Sequence, residues 1–229
     1  MAVIRLPMPS PGHATSFVTA AMDLWLVRGT KKSGGRGDRP APAARKYGLT
    51  VVRNRARGDC GFEAYVDAKL APQGVDDAAL RGLVAEEMLK NPEAYAHAIP
   101  GCSTSVFDKA DGRQLMELVI DAPYKRYVAT QVAPPGKYIT NHGWAALRKL
   151  FPNSKFVFLS LSESGDTLVR RYFGNDDVVW VSNAVTPGDM ASLPEDTKVF
   201  FFYPPVGPQD QGGHFEFALR AAVPASPHG

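Results

Sequence analysis

The sequence predicts an α+β fold in which a helical first half packs on a small, mostly antiparallel sheet formed by the second half. Amphipathic segments with helical spacing lie between residues 60 and 151, and short runs rich in β-branched and aromatic residues follow between 155 and 219. Because helices and strands are segregated along the chain, the pattern does not fit a parallel sheet of alternating strands and helices.

The clearest helix is predicted over 76–90. Leu80, Leu83, Val84 and Met88 share one face there, an aspartate can cap the start, and Asn91-Pro92 stops the helix. The same spacing predicts further helices over 60–70, 113–120, 123–130 and 143–151.

Strands are predicted where the residue types change after residue 151. The run Lys155-Phe-Val-Phe-Leu-Ser-Leu161 is the first, and turn residues such as Ser164-Gly165-Asp166 separate it from the next. Further strands are predicted over 167–173, 178–182, 198–203 and 214–219.

The chain of 229 residues is long enough for one good-sized core. Residues 29–44 are rich in Gly, Pro, Lys and Arg, which is typical of a linker. We therefore expect a flexible basic leader and linker over 1–45, one folded domain over 46–222 and a short tail over 223–229.

Composition excludes several classes of protein. No apolar run approaches the roughly 20 residues that span a bilayer, so no membrane span is predicted. The two cysteines exclude a framework of several disulfides and favour a reducing compartment, with a cytoplasmic location, including that of a host cell, as the expectation. Residues 1–48 hold eight Lys and Arg against two Asp, which leaves 18 basic and 21 acidic residues in the slightly acidic remainder, so a specific nucleic-acid partner is not expected.

Two short segments, Arg57-Gly-Asp-Cys-Gly-Phe62 and Gly212-Gly-His-Phe-Glu216, carry candidate chemistry. A nucleophilic cysteine needs its thiolate form, a neighbouring base and donors for the oxyanion. If the chain turns at Gly58 and enters a helix at Cys60, the sulfur lies at a helix N-terminus, where unpaired amides favour the thiolate and can bind an oxyanion. Cys60 is therefore the predicted nucleophile.

His214 is the predicted base, because it opens a strand whose alternation places Glu216 on the same face. A carboxylate two residues on can reach the imidazole nitrogen that does not face the sulfur, which fixes the tautomer and the ring orientation. Glu216 is therefore the predicted orienting group.

The residues around the cysteine form the predicted nucleophile and oxyanion loop. Gly58 and Gly61 allow the backbone to approach a bound carbonyl because they have no Cβ. Asp59 is either a helix cap or a member of the site. Arg57 either belongs to a solvated strand face or stabilises the thiolate or a carboxylate.

In this order the motifs resemble the OTU (ovarian tumour) family of cysteine peptidases. That family's pattern is Asp-Gly-Asn/Asp-Cys-Leu-Phe/Trp near the start and His-Tyr/Phe-Asn/Asp near the end. The segment from Leu80 to Tyr95 resembles the family's next helix, and Asn141-His-Gly-Trp-Ala-Ala-Leu147 resembles the segment before its later helix and strands. Arg57 stands where the family has Asp, and Glu216 where Asp or Asn is commoner, which indicates a divergent branch such as viral or bacterial-effector members.

The resemblance implies a papain-like OTU fold and a thiol protease that needs no metal or organic cofactor. It implies hydrolysis of the peptide or isopeptide bond after the C-terminal Gly-Gly of ubiquitin or a ubiquitin-like modifier, which would be the partner. Alongside the catalytic residues, the residues predicted to contact substrate are His142, Trp144, Gly213 and Phe215, with Trp144 alternatively a core or cleft-wall aromatic. His142 is also the rival candidate for the base.

Two other functions fit the same residues. A papain-like viral protease that processes its own polyprotein also places a cysteine before a helix and a histidine late in the chain, and this chain would then be part of a larger polyprotein with one or both activities. Alternatively, Arg57 and Glu216 mark a decayed active site, and the protein binds the modifier without cleaving it.

Overall fold

The computed structural model describes residues 3–7, 44–54, 58–99, 101–108, 113–119, 122–161, 168–171, 182–203 and 214–221. Its helices are α1 (Cys60–Asp67), α2 (Asp77–Lys90), α3 (Ala122–Tyr127), α4 (Asn141–Leu150) and α5 (Pro187–Ser192). Its strands are β1 (Val3–Pro7), β2 (Leu49–Val52), β3 (Ser103–Asp108), β4 (Arg113–Val119), β5 (Phe156–Leu161), β6 (Leu168–Arg171), β7 (Ser182–Ala184), β8 (Lys198–Tyr203) and β9 (His214–Arg220). Across the described part of the chain, every helix is too short or too polar to serve as a membrane span.

The main sheet has six strands in the order β2-β9-β8-β5-β6-β7. Only the β5–β8 pair is parallel, and every other pair is antiparallel. All of its strands except β2 come from the second half of the chain, and the helices α1, α2 and α4 come before them. The predicted α+β class, with helices first and a mostly antiparallel sheet second, is confirmed.

Alternation along the strands gives the sheet two buried faces. On one face Phe158, Phe200 and Phe215 join the core under the helices, where Trp144 of α4 contacts all three rings. On the other face a second core includes Val157, Leu159, Val199, Phe201 and Ala218. Full burial of one large apolar side chain stabilises the fold by roughly 1.5–3 kcal/mol. The aromatic core therefore holds the helical layer firmly against the sheet.

The prediction of a helix over 113–120 is wrong, because Arg113–Val119 form β4. Strand β4 lies between β1 and β3 in a separate three-stranded sheet, antiparallel to both. Leucine, methionine and glutamate favour a helix, but propensity is a weak prior that pairing on both edges of a strand overrides. The local sequence gave no sign of partners as distant as residues 3–7.

The start of the chain also differs from the expected flexible leader. Val3–Pro7 pairs with β4, so these five residues are part of the fold. Ala44 is fully buried and joins Tyr47 and Leu49 in the second core, so ordered structure begins again slightly before residue 46. The rest of the leader, residues 8–43, lies outside the described residues, as does the tail over 223–229.

The remaining element predictions hold to within a few residues, apart from the strand predicted over 178–182, most of which lies outside the described residues. Asp76 caps α2 by accepting a hydrogen bond from the amide of Ala79 at 2.8 Å, and the helix stops before Pro92. The segment predicted over 123–130 becomes α3 followed by a π-helical turn at Val128–Val132. Strand β7 begins at Ser182, where the predicted strand over 178–182 ends; residues 178–181 lie outside the described ranges.

Candidate active site

The structure brings Cys60 against the start of β9. Cys60 is the first residue of α1 and has no exposed surface. The amide of Phe215 points at its Sγ, with a nitrogen–sulfur distance of 3.5 Å. A sulfur from the first motif thus lies next to the residue that follows the histidine of the second motif.

The arrangement arises because β2 ends early. Val52, its last residue, pairs with Phe217, so β2 does not extend alongside the first residues of β9. There the chain turns toward α1, and the side chains of Asn54 and Cys60 bond to the backbone of Phe215 instead. The edge of β9 that β2 leaves open is therefore where Cys60 and Asn54 contact the strand that begins with His214.

Asn54 connects the start of α1 with the start of β9. Its Nδ2 donates to the carbonyl oxygen of Cys60 at 2.8 Å and to that of Phe215 at 3.0 Å. Sequence reasoning missed Asn54, because nothing in a lone asparagine after a strand indicates that it bonds to residues 6 and 161 positions away.

His214 and Glu216 form the predicted pair. His214 Nε2 lies 3.3 Å from Glu216 Oε1, and both side chains are largely buried. The other ring nitrogen, Nδ1, is buried and makes no hydrogen bond with any described residue. Nδ1 is therefore the ring nitrogen that Glu216 leaves unoccupied.

Tyr203 holds the second oxygen of the carboxylate. Its hydroxyl donates to Glu216 Oε2 at 2.5 Å. Tyr203 pairs directly with His214 across the β8–β9 ladder, so it shares a face with both His214 and Glu216. Sequence reasoning missed Tyr203, since the register between two strands cannot be read from either strand alone.

Electrostatics at the site favour a charged imidazolium and a charged carboxylate. Burial disfavours the imidazolium, but interactions with Cys60 and Glu216 outweigh it and raise the pKa of His214 to about 9. Burial also opposes the charged form of Glu216, yet His214, Tyr203 and the charge of Arg53 hold the pKa of its carboxyl below the usual value. The pair is thus arranged to keep opposite charges side by side.

Backbone contacts fix the loop that precedes the nucleophile. Gly58 has φ +75°, and a Cβ built there would lie 2.0 Å from the carbonyl oxygen of Gly136. A Cβ on Gly61 would lie 2.2 Å from Cγ2 of Ile139. Both glycines of the predicted loop are therefore required by close packing against the segment that leads into α4.

Comparisons with known proteins were made on the sequence and on the structure. No family model matches the sequence, and no curated protein matches it either. The structure is similar to the OTU domain of OTUD1, with 11% identity, a TM-score of 0.44, and coverage of 79% of this chain and 92% of that chain.

It is also similar to an OTU deubiquitinase from Wolbachia pipientis wMel. The ubiquitin-bound form of that enzyme gives 14% identity, a TM-score of 0.46, and coverage of 76% of this chain and 96% of that one. The form solved without ubiquitin gives 14% identity, a TM-score of 0.44, and coverage of 76% and 89%. All three are OTU domains.

Several residues predicted to contact substrate have other surroundings. Trp144 is fully buried in the aromatic core, so its prediction as a substrate contact is wrong. The ring of Phe215 is also a core ring, and only its backbone amide faces the sulfur. Arg57 and Gly213 lie outside the described residues.

His142 is a buried residue of the helical layer. Its ring lies edge-on to Tyr127 with 6.2 Å between centroids, and neither nitrogen has a hydrogen-bond partner among the residues that the structure describes. Burial, aided by His97, lowers the pKa of His142 to about 4. The prediction that it contacts substrate, and its rival candidacy as the base, therefore find no support in its surroundings.

The described residues contain no evident set of metal ligands. Within the described residues, no three or more His, Cys, Asp or Glu side chains cluster in a way that could hold a metal ion. Both cysteines are free thiols and both are buried.

We expect the ion pair to make stability depend on pH. Because the folded-state pKa of His214 is raised to about 9 from 6.5, the folded state binds the extra proton between those values. The stabilisation is complete below about pH 6.5 and is lost as the pH rises through about 9. Urea unfolding of wild type and His214→Gln at pH 6 and pH 9.5 checks this: the free-energy difference between them should shrink at the higher pH. A difference that grows with pH contradicts the assignment.

Gly58→Ala is expected to destabilise the protein by more than about 3 kcal/mol, since it combines a left-handed backbone with a backbone clash. Gly74 provides the matched control: its φ is +83° but no atom lies within 4 Å of an added Cβ. Gly74→Ala should lose only the roughly 1–2 kcal/mol of the left-handed conformation. Chemical denaturation of both variants measures the difference, and equal losses would show that the contact with Gly136 is unimportant.

Proposed function

We propose that this chain is a cysteine-dependent deubiquitinase. It would hydrolyse the peptide or isopeptide bond after the C-terminal Gly-Gly of ubiquitin or a ubiquitin-like modifier, with Cys60, His214 and Glu216 as its catalytic residues. The observation that carries the proposal is the arrangement at the start of β9, where Phe215 N points at the Cys60 sulfur and His214 Nε2 lies against Glu216.

The first half of the reaction forms an acyl-enzyme. The Cys60 thiolate attacks the carbonyl carbon of the terminal glycine, and the negative charge moves to the carbonyl oxygen near the first amides of α1. As the tetrahedral intermediate collapses, the imidazolium of His214 gives its Nδ1 proton to the departing lysine amine. The carbon–nitrogen bond breaks and a thioester remains on Cys60.

The second half regenerates the thiol. His214, now neutral, takes a proton from a water molecule that attacks the thioester carbonyl. Collapse releases the modifier with a free C-terminal carboxylate and returns the sulfur to its pairing with the imidazolium. Glu216, held by Tyr203, keeps Nε2 occupied so that Nδ1 faces the reaction throughout.

The modifier's diglycine end fits a site of this kind. A channel that admits only residues without Cβ excludes other C-termini by steric clash. Cys60 has no exposed surface, so the residues around the sulfur have to move apart before substrate can reach it. Entry of a narrow diglycine segment requires less opening than entry of side chains.

Hydrolysis of a fluorogenic amide on the ubiquitin C-terminus tests the proposal. Wild type should release the fluorophore, and it should release the same group far more slowly from a ubiquitin ending in Ala-Ala. A panel of ubiquitin-like modifiers carrying the same fluorophore identifies the preferred one.

Two outcomes favour the other functions. Binding of ubiquitin without any hydrolysis favours the modifier-binding module. Cleavage of short peptides containing Gly-Gly, without preference for the folded modifier, favours the polyprotein-processing protease. If the protein neither binds nor cleaves any of these substrates, the proposed function is refuted.

A further inference from the structure

Asp59 occupies the N-cap of α1 but does not cap it. Aspartate is among the preferred N-cap residues because its carboxylate can accept from the second or third amide of the helix. Asp59 makes no such side-chain bond, and its φ of −87° and ψ of −3° differ from the extended conformation usual at an N-cap. The cap of α2 has both features, since Asp76 is extended and bonds to an amide of its helix.

The carboxylate of Asp59 is held elsewhere. Both of its oxygens accept from the amide of Gly136, at 3.1 and 3.0 Å. The guanidinium of Arg81 forms a direct ion pair with one of these oxygens. The carboxylate is thus turned away from α1, toward α2 and the segment that precedes α4.

Arg81 is well placed to act as a fixed anchor. It is only 3% exposed, and it donates to the carbonyl oxygens of Val132 at 2.8 Å and Lys137 at 2.6 Å. Its guanidinium lies over the ring of Phe62, 4.4 Å from the centroid. A planar donor held on several sides keeps its partner carboxylate in one position.

The position of this carboxylate matters for the chemistry at Cys60. The first amides of α1 have no partner within the helix, and because the helix begins at Cys60 they lie at the same end of it as the sulfur. A carboxylate that capped them would occupy those donors and place a negative charge where the oxyanion forms. Binding by Arg81 and capping of α1 are mutually exclusive for Asp59.

We propose that Arg81 is a positioning residue which holds the Asp59 carboxylate away from α1 and so keeps the helix amides free for the oxyanion. The inference rests on the proposed function. A positioning role differs from a purely structural role in one respect. Without Arg81, the Asp59 carboxylate should lower the rate of hydrolysis, so removal of Asp59 as well should restore activity.

The test compares Arg81→Met, Asp59→Ala, the double variant and Arg81→Lys on the fluorogenic ubiquitin amide. Methionine keeps an unbranched apolar chain over Phe62 and removes the charge. Arg81→Met should lower kcat about 100-fold with KM within about threefold, since loss of one oxyanion donor has an effect of this size. The kcat of the double variant should be at least about tenfold higher than that of Arg81→Met. The kcat of Arg81→Lys, which keeps a cation, should lie between the values of wild type and Arg81→Met.

Alkylation of Cys60 by iodoacetamide, measured in a Cys102→Ala background, separates this effect from general disorder. Alkylation needs the thiolate but no oxyanion donors, so at a pH high enough to ionise the thiol fully in every variant, Arg81→Met should change its rate by less than about threefold. A double variant no faster than Arg81→Met, or an alkylation rate that falls as far as kcat, overturns the inference. If Arg81→Met does not fold, Arg81→Lys and its pairing with Asp59→Ala supply the same comparison.

A crystal structure of Arg81→Met gives a readout that does not depend on turnover. The Asp59 carboxylate should lie within hydrogen-bond distance of the amide of Gly61 or Phe62. A carboxylate still bound to Gly136 overturns the inference even if the wild-type protein proves inactive on ubiquitin. If the wild-type protein is inactive on ubiquitin but Asp59 caps α1 in Arg81→Met, the result contradicts the proposed function and leaves the positioning role of Arg81 standing.

Discussion

Cys60→Ala is expected to abolish hydrolysis of the ubiquitin amide, with a loss in kcat of about 10⁵-fold or more. The substitution removes the only atom that forms the acyl-enzyme. It leaves the β9 strand, the His214–Glu216 pair and the Asn54 hydrogen bonds to backbone carbonyls in place. The variant should therefore still bind ubiquitin with an affinity close to that of wild type, which isothermal titration can measure.

Cys102→Ala is the matched control for this result. Cys102 is also a free, buried cysteine, but its near neighbours are the tyrosines Tyr124 and Tyr127 of the helical layer, whose pKa values it influences. The kcat of the Cys102→Ala variant should stay within about threefold of the wild-type value. Turnover that survives Cys60→Ala but not Cys102→Ala would contradict the assignment of the nucleophile.

The second large effect is expected from His214→Ala. A general acid and base contributes about 10²–10⁴-fold, and this residue serves both half-reactions and pairs with the thiolate, so we expect a loss of kcat near the upper end of that range. The alkylation rate of Cys60 near neutral pH should fall as well, because the thiolate loses its cationic partner. Stopped-flow alkylation and steady-state kinetics measure the two effects separately.

His142→Ala distinguishes the two histidines that the sequence offered as bases. His142 lies against Tyr127, and its pKa is lowered to about 4, so at neutral pH it carries no charge. Its loss should reduce stability through the cavity it leaves but alter the pH profile of kcat little. A loss of kcat in His142→Ala equal to that in His214→Ala would reverse the assignment.

Glu216→Gln tests how much the charge of the proposed orienting carboxylate contributes. Glutamine can still bond to the imidazole but removes the charge that helps to raise the pKa of His214. We expect kcat to fall about 10–100-fold and the ionisation of His214, followed by NMR, to move to lower pH. An unchanged ionisation would show that Cys60 alone sets the pKa of the histidine.

The sequence was most informative where chemistry depends on neighbours within one motif. Alternation alone places His214 and Glu216 on one face of β9, and the glycines flanking Cys60 predict a tight loop before a helix. Both features were visible because the spacing of two or three residues fixes the geometry locally. The order of helices before strands likewise predicted the fold class.

What the sequence did not reveal depends on contacts between distant segments. Tyr203 reaches Glu216 only through the β8–β9 register, and Asn54 acts only because β2 ends opposite Phe217. Arg81 is an ordinary helix residue until the loop at Gly136 is folded beside it. The strand β4 was mistaken for a helix in part for the same reason, since one of its two partners, β1, begins at Val3, although the other, β3, precedes it directly in the chain.

The central claim is that the sulfur of Cys60 is the atom that attacks the modifier's C-terminus with the help of His214. Reaction with a ubiquitin whose C-terminus carries an electrophile, followed by proteolysis and mass spectrometry, tests it most directly. We expect one covalent adduct, on the peptide that contains Cys60, whose formation slows at least about 100-fold in His214→Ala. An adduct on Cys102, or labelling of Cys60 at the same rate without His214, would contradict the account.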